Sequence, residues 1–332
     1  MTNCIRIEGG GEFAVPDQND NLLRGALRAG VAFPHECSVG GCGACRFELV
    51  EGEVETVWEA APGLSERDRR RGKRLACQSR PLGDCTIRVR CGEEYRPRIA
   101  PARRQAVLAA RRMLTHDMAE IELRTDGPAE FLPGQYALFD LPGVAGARAY
   151  SMSNLPNGEG VWQFIVRRTP GGRGSRLLVD ALAPGAAVPI DGPYGGAWFR
   201  ADAPRPVVCI AGGSGLAPML SVARAAAGTG LELDFFFGAR TRADLCAEQA
   251  LAALPGFGTR LRLHEVLSDE VRDDWPGARG FVHDEARRRL GTVLAEREIY
   301  FAGPPAMADA VQTLLMMECR VPYGQVHFDR FV

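Results

Sequence analysis

The sequence predicts a multidomain chain of α+β and α/β class: a small α+β unit, then a small antiparallel barrel, then a doubly wound parallel sheet. Three observations carry this expectation. The chain has 332 residues, more than one hydrophobic core usually serves. Alternating runs such as MAEIELR, QYALFDL, RAYSMS and VWQFIVRR crowd its middle at short intervals, the period-two signature of half-buried antiparallel strands. From Pro206 the pattern becomes apolar strand-like runs, VVCIAGG, LELDFFFGAR, RLRLHEVL and REIYFAGPP, separated by helical repeats such as APMLSVARAAAG. These shifts put the units at residues 1–92, 102–203 and 204–332, with 93–101 a linker broken by Pro97 and Pro101.

Charge and hydropathy exclude some function classes. A formal net charge of -1 gives no global argument for nucleic acid or an anionic membrane. There is no apolar run of eighteen residues, and MTNCIRIEGGGEF lacks the layout of a secretory signal, so a soluble, cytoplasmic protein is expected; a monomer is expected separately. Ten cysteines in such a chain point to metal binding rather than a disulfide framework. Six of them, Cys4, Cys85, Cys91, Cys209, Cys246 and Cys319, are scattered and read as small buried hydrophobes.

In the first unit, Cys37, Cys42 and Cys45 are spaced Cys-x4-Cys-x2-Cys, with Cys77 following in "RLACQSRP". This is the plant-type ligand spacing for a 2Fe-2S cluster. Gly40, Gly41 and Gly43 let the backbone wrap closely and aim amides at sulfur. A zinc site is the rival reading, although four-thiolate zinc sites usually come as two Cys-x2-Cys pairs. A Rieske centre needs two histidines, and only His35, read as a loop residue, is near. CIRI and EFAV read as strands, Asp20 as the N-cap of a helix through LLRGALRA closed by Gly30, and RFELVEGEV and CTIRVR as later strands. Residues 1–92 resemble the β-grasp ferredoxin domain of bacterial oxygenase reductases, including an LSERDRRRGKRLACQ helix. Its Arg67, Arg69, Arg70, Arg71, Lys73 and Arg74 read first as a solvated face and second as a docking patch for an acidic redox partner.

In the second unit, RAYSMSN resembles the Arg-x-Tyr-Ser motif of the ferredoxin reductase superfamily, which implies a six-stranded antiparallel FAD-binding barrel. The resemblance implies that Arg148 pairs with the FAD diphosphate, Tyr150 packs along the flavin and Ser151 reaches its N5. A guanidinium fork and a small hydroxyl suit those tasks. TPGGRGSRLLVDAL sets Ser175 at a helix start after a Gly-rich turn, and the family likeness makes Gly172, Arg173, Gly174 and Ser175 the second diphosphate grip. PGQY, with Gly134 and Gln135, reads as a structural turn.

In the third unit, AGGSGLAPML resembles the family's glycine-rich turn, so that Gly212, Gly213, Ser214 and Gly215 would cradle the diphosphate of a pyridine nucleotide. Where relatives using NADPH have Ser-Arg, this chain has Ser268 and Asp269; a carboxylate repels a 2'-phosphate, which implies NADH. FAGPPAM resembles the segment beside the nicotinamide, with Gly303 and Pro304 lining the pocket and Ala302 standing where many relatives have Cys. In VHFDRFV the likeness puts Phe331 over the flavin, in a C-terminal flavin-covering tail, and the Asp329 carboxylate near the nicotinamide. Ser151, Asp329 and Phe331 are thereby the candidate catalytic residues.

Taken over nearly its full length, the chain resembles NADH-dependent reductases of bacterial multicomponent oxygenases, such as toluene and methane monooxygenases. That resemblance implies electrons passing from NADH through FAD and a 2Fe-2S cluster, one at a time, to a Rieske-type ferredoxin or a diiron hydroxylase. The same modules in a deoxysugar dehydratase reductase, or in a redox-sensing flavoprotein, are the alternatives.

Overall fold

The computed structural model describes residues 2–16, 20–270 and 274–329. Its first part runs β1 (Asn3–Ile7), β2 (Glu12–Val15), α1 (Leu22–Arg28), β3 (Arg46–Glu51), β4 (Val54–Thr56), α2 (Glu66–Arg70), β5 (Lys73–Leu75), β6 (Ser79–Pro81) and β7 (Cys85–Arg88). Five strands form one sheet in the order β2-β1-β7-β3-β5, with β1 and β7 parallel, while β4 pairs with β6. Helix α1 lies across this sheet because Leu22, Leu23, Ala26 and Leu27 recur at helical spacing and are fully buried. Gly25 sets how closely it packs, since a Cβ there would stand 2.6 Å from Val15 Cγ2.

Three local expectations need correction. The N-cap of α1 is Asn21, whose Oδ1 accepts from the Arg24 amide at 2.9 Å. Asp20 instead pairs with Arg28 and with Arg103 from the next unit, so its charge is committed to a contact that no local pattern reveals. The basic helix is short: Ser65 caps it, Gly72 leaves it at φ +71°, and Lys73–Leu75 is already strand. Of the scattered cysteines, Cys85, Cys209 and Cys246 are buried, but Cys91 is exposed where the chain leaves β7, and Cys4 and Cys319 are half-buried.

The middle part contains β8 (Ala102–Arg104), β9 (Ala106–Met113), β10 (Met118–Thr125), β11 (Tyr136–Phe139), β12 (Arg148–Ser151), β13 (Val161–Arg167), the short helix α3 (Arg173–Arg176) and β14 (Ile190–Tyr194). Sheets β13-β10-β9 and β12-β11-β14-β8 are joined by bridges from Met152 to Phe164 and from Val107 to Ala187. Only Gln105 separates β8 from β9, so the two act as one bent strand and the barrel closes with six. Its interior is filled by Trp162, Phe131, Phe139 and Phe164. Gly134, at φ +106°, and Gln135, whose Oε1 accepts from the Leu132 amide at 2.8 Å, make a structural turn as expected.

The last part comprises β15 (Val207–Gly212), α4 (Leu216–Thr229), β16 (Leu233–Ala239), α5 (Ala247–Leu251), β17 (Leu261–Leu267), β18 (Ala278–Arg279), α6 (Val282–Leu290), β19 (Glu298–Ala302), α7 (Pro305–Thr313) and β20 (Val326–Phe328). All six strands are parallel, in the order β18-β17-β16-β15-β19-β20. The chain winds one way from β15 and the other way from β19, so the crevice where ligands settle opens past their carboxyl ends. Apolar clusters cover both faces of the sheet.

The N-terminal sheet docks on the barrel. Its core includes Tyr136, Leu138 and Tyr194 from barrel strands. Beside them, Asp191, fully buried, receives Arg28 Nη2 at 2.5 Å and Arg24 Nη1 at 3.6 Å. Tyr136 also donates to the Glu36 carbonyl oxygen, and its hydroxyl lies 2.7 Å from Ser38 Oγ. The loop that follows α1 is thereby fastened to the barrel wall.

Candidate functional site

The residues 36–44 loop between α1 and β3 carries Cys37 and Cys42, with Cys45 at its end; Cys77 sits in the 3-10 turn Ala76–Gln78. Cys45 Sγ and Cys77 Sγ are 3.3 Å apart, and the Cys42 amide donates to Cys37 Sγ at 3.3 Å. The Cys42 thiol, with the amides of Val39, Cys42 and Gly41, holds the Cys37 thiol down to about 5, and Cys42 is pushed up in turn. Such crowding favours thiolates once a cation takes the place of the shared protons.

The sulfurs form two pairs, and no three of them lie within 4.8 Å of one another. A tetrahedral zinc with bonds of about 2.3 Å would draw all four to about 3.8 Å. Two pairs instead suit two irons with two protein ligands each, which answers the zinc reading. The glycines act from outside as well: Gly40 and Gly43 have positive φ, and a Cβ on Gly43 would collide with the Gly63 carbonyl oxygen.

Next to this loop is a cleft of about 640 Å³. Arg148, Tyr150 and Ser151 from β12 form one wall, and Gly172, Arg173, Gly174 and Ser175 another. Burial pushes the Tyr150 hydroxyl up to about 12. Helix α3 begins at Arg173, two residues before the expected start, so Ser175 closes the turn rather than capping it: its Oγ accepts from the Thr169 amide at 3.0 Å. The Arg148 guanidinium donates to carbonyls of Ala145, Gly146 and Ala147 at 3.1 Å. These positively charged and amide-rich walls fit a flavin dinucleotide diphosphate.

Cys37 from the cluster loop and Ser214 from the glycine-rich turn line the same cleft. Asp329 lines it too, buried against Gly195 and the Tyr136 ring. Burial, and then the nearby Glu36, push its carboxyl up to about 8. Its neighbours are the cluster loop and the barrel, and it does not line the nucleotide pocket, contrary to the expected place beside the nicotinamide. Phe331 lies outside the described residues.

The second pocket, about 390 Å³, opens past β15 and β16 and is lined by Gly212, Gly213 and Pro304. Two close approaches build it: a Cβ on Gly215 would collide with the Ala302 carbonyl oxygen, and one on Gly303 would stand 2.5 Å from Met307 Cε. Gly303 is buried and does not line the pocket as expected, whereas the exposed Pro304 does. Ser268 lines the pocket, while Asp269 is exposed one residue beyond, its amide donating to the Arg240 carbonyl oxygen at 2.9 Å.

The sequence reading missed Arg167 and Phe281. Arg167 ends β13 and lines both cavities, its Nε donating to Asp117 Oδ2 at 2.7 Å. Phe281 precedes α6, is 62% exposed, lines the nucleotide pocket and stacks on His283 with centroids 5.7 Å apart. An aromatic so exposed does little for the core and offers a face to a purine. Replacing it with alanine is expected to raise KM for NADH about tenfold, the equivalent of about 1.4 kcal/mol and within the range for one stacked base, with kcat kept. Steady-state kinetics on the full protein check this; an unchanged KM would contradict it.

Three family models match in register with these parts: a 2Fe-2S iron-sulfur cluster binding domain over residues 5–82, an oxidoreductase FAD-binding domain over 105–199 and an oxidoreductase NAD-binding domain over 209–313. The chain is 42% identical over 316 residues to the ferredoxin–NAD(P)(+) reductase CarAd of Metapseudomonas resinovorans, covering 94% of each. It is 39% identical to the ferredoxin–NAD(+) reductase component of the alkene monooxygenase system of Xanthobacter autotrophicus, covering 99% of this chain and 100% of that one. Among solved structures, the ferredoxin reductase in carbazole 1,9a-dioxygenase superposes with a TM-score of 0.92 at 38% identity, covering 100% of this chain and 99% of that one. The cysteine pairs, the shared cleft and these likenesses over nearly the whole length lead to one assignment: the chain belongs to the ferredoxin–NAD(P)(+) reductase components of multicomponent oxygenase systems, with a 2Fe-2S domain joined to FAD- and NAD-binding domains.

Proposed function

We propose that this reductase takes electrons from NADH and delivers them singly to a Rieske-type ferredoxin or a diiron hydroxylase of an oxygenase acting on aromatic or hydrocarbon substrates. Bound here, FAD would supply a centre able to take an electron pair as hydride and release it singly, and a 2Fe-2S cluster one that carries single electrons. The observation that carries the reading is the cleft in which Ser151, Cys37 and Ser214 meet. Entry and exit of electrons then share one set of walls.

The protein's own groups position the parts. Arg148 and the amides of Gly172, Arg173 and Gly174 would hold the flavin diphosphate, and the buried Ser151 hydroxyl would serve its redox-active edge. Gly212, Gly213 and Gly215 bring a nucleotide diphosphate close to backbone amides, and Pro304 borders the nicotinamide. Asp269 beside Ser268 disfavours a 2'-phosphate. Phe331 would cover the flavin, and Asp329 would hold a proton at the cleft wall. Cys37, Cys42, Cys45 and Cys77 hold the cluster. The functional units run 1–92, 102–203 and 204–332, joined by 93–101. Ten cysteines with no disulfide among them suit a reducing cytoplasm, and no helix of the described residues is long and apolar enough to cross a membrane.

Anaerobic titration with NADH tests this. Loss of flavin absorbance followed by a reduced-cluster EPR signal is expected, with NADPH far less efficient. Flavin bleaching with no EPR signal, or equal efficiency with NADPH, would contradict the respective assignments.

A further inference from the structure

Val57 and Trp58 are apolar, adjacent and 41% and 45% exposed. They follow β4 and stand over both cysteine-bearing segments. The Trp58 ring lies 3.1 Å from the place a Cβ on Gly40 would take, so it covers the outside of the loop holding Cys37 and Cys42. The Val57 amide donates to the Gln78 carbonyl oxygen at 2.8 Å, one residue from Cys77. Neither exposed side chain is needed to fill a core, and both touch the backbone that carries the cysteines.

Cations rim this apolar pair. Arg69 Nη2 donates to the Ala61 carbonyl oxygen at 2.7 Å, Arg74 Nη1 to Thr56 Oγ1 at 3.2 Å, and Arg80 faces Glu55 at 3.6 Å. Three guanidinium groups are therefore anchored around the Val57–Trp58 pair, while Arg67, Arg70 and Arg71 stand exposed on α2 and just beyond it. Between residues 55 and 80 there are seven basic side chains against four acidic ones, Glu55, Glu59, Glu66 and Asp68, in a chain whose net charge is -1. Positive charge is concentrated at the cysteine end of a molecule that has none to spare overall.

We propose that Val57, Trp58 and the arginines of residues 67–80 form the docking surface for the electron acceptor, a one-electron iron protein that binds through an acidic face with an apolar centre. This rests on the reductase reading above. Each encounter passes one electron, so two acceptor molecules are reduced as one NADH becomes NAD+ and releases one proton. The charges steer the encounter and set its orientation, and the flat indole gives a dry contact at the centre of a polar rim. A solvated helix face alone would not explain the exposed tryptophan.

The test uses the full holoprotein, with an acidic plant-type 2Fe-2S ferredoxin as probe and basic cytochrome c as its counterpart. Affinity is read by calorimetry at two salt concentrations, and NADH-driven flavin reduction by stopped flow. The proposal expects tighter binding of the acidic probe. It also expects at least a tenfold loss of that affinity and a flattened salt dependence in R70E/R71E, a similar loss in Trp58→Ala, and retention in Trp58→Phe. Flavin reduction should be unchanged in all variants. Equal affinity for the two probes, or R70E/R71E binding as the unaltered protein does, would overturn the surface. Failure of flavin reduction in the unaltered protein would instead overturn the reductase reading.

Discussion

Replacing Cys77 by alanine will leave NADH-driven flavin bleaching intact while cutting electron delivery to a protein acceptor by more than about 100-fold, the upper end of what losing even an outer partner of a metal site costs. Cys77 Sγ lies 3.3 Å from Cys45 Sγ, and the pair supplies half of the sulfur set. Without it, one iron would be left with a single protein ligand. The effect should stay local, because Cys77 holds its neighbours through its backbone: its carbonyl oxygen accepts from Asn21 Nδ2 at 2.9 Å, a bond that alanine retains. Visible absorbance, EPR and stopped-flow reduction read the separate parts. A variant that keeps the cluster signal and full delivery would show that the ligand set is wrong.

The second large effect is structural. Asp191→Ala removes a buried carboxylate that faces Arg28 and Arg24 across the seam between the N-terminal sheet and the barrel. The two guanidinium groups are themselves mostly buried, so the substitution strands positive charge in a poorly solvated place. Breaking a buried pair from one side typically costs about 3–5 kcal/mol. We expect that loss to appear as early release of the N-terminal sheet on denaturation and faster proteolysis within residues 93–101. Adding Arg28→Leu should recover part of the stability, because one of the two stranded guanidinium groups is then removed as well, leaving only Arg24. Strict additivity of the two changes would indicate that the ions do not interact.

Much of this was legible because the chemistry demands fixed spacing. Cysteines that wrap a small inorganic core must come close together in sequence, and the run from Cys37 to Cys45 does so. The parallel sheet was legible because β15, β16 and β19 are buried on both faces and read as continuous apolar runs. What escaped depends on contacts between units. Asp20 and Asn21 are both good caps, and which one caps α1 is decided by Arg28 and Arg103, the latter 83 residues away. Arg167 reads as an ordinary strand end until the fold brings the glycine-rich turn beside it. Nothing in GFVH announces that the Phe281 ring faces outward.

The hydroxyl of Tyr136, tied to the Glu36 carbonyl beside a cluster ligand, has a kinetic meaning. A hinged carrier must swing between donor and acceptor, and its throughput is then limited by that search. Here the barrel and the cysteine loop already touch across a closed seam, so a handover between them needs no swing, and the search on the outgoing side is for the arriving molecule.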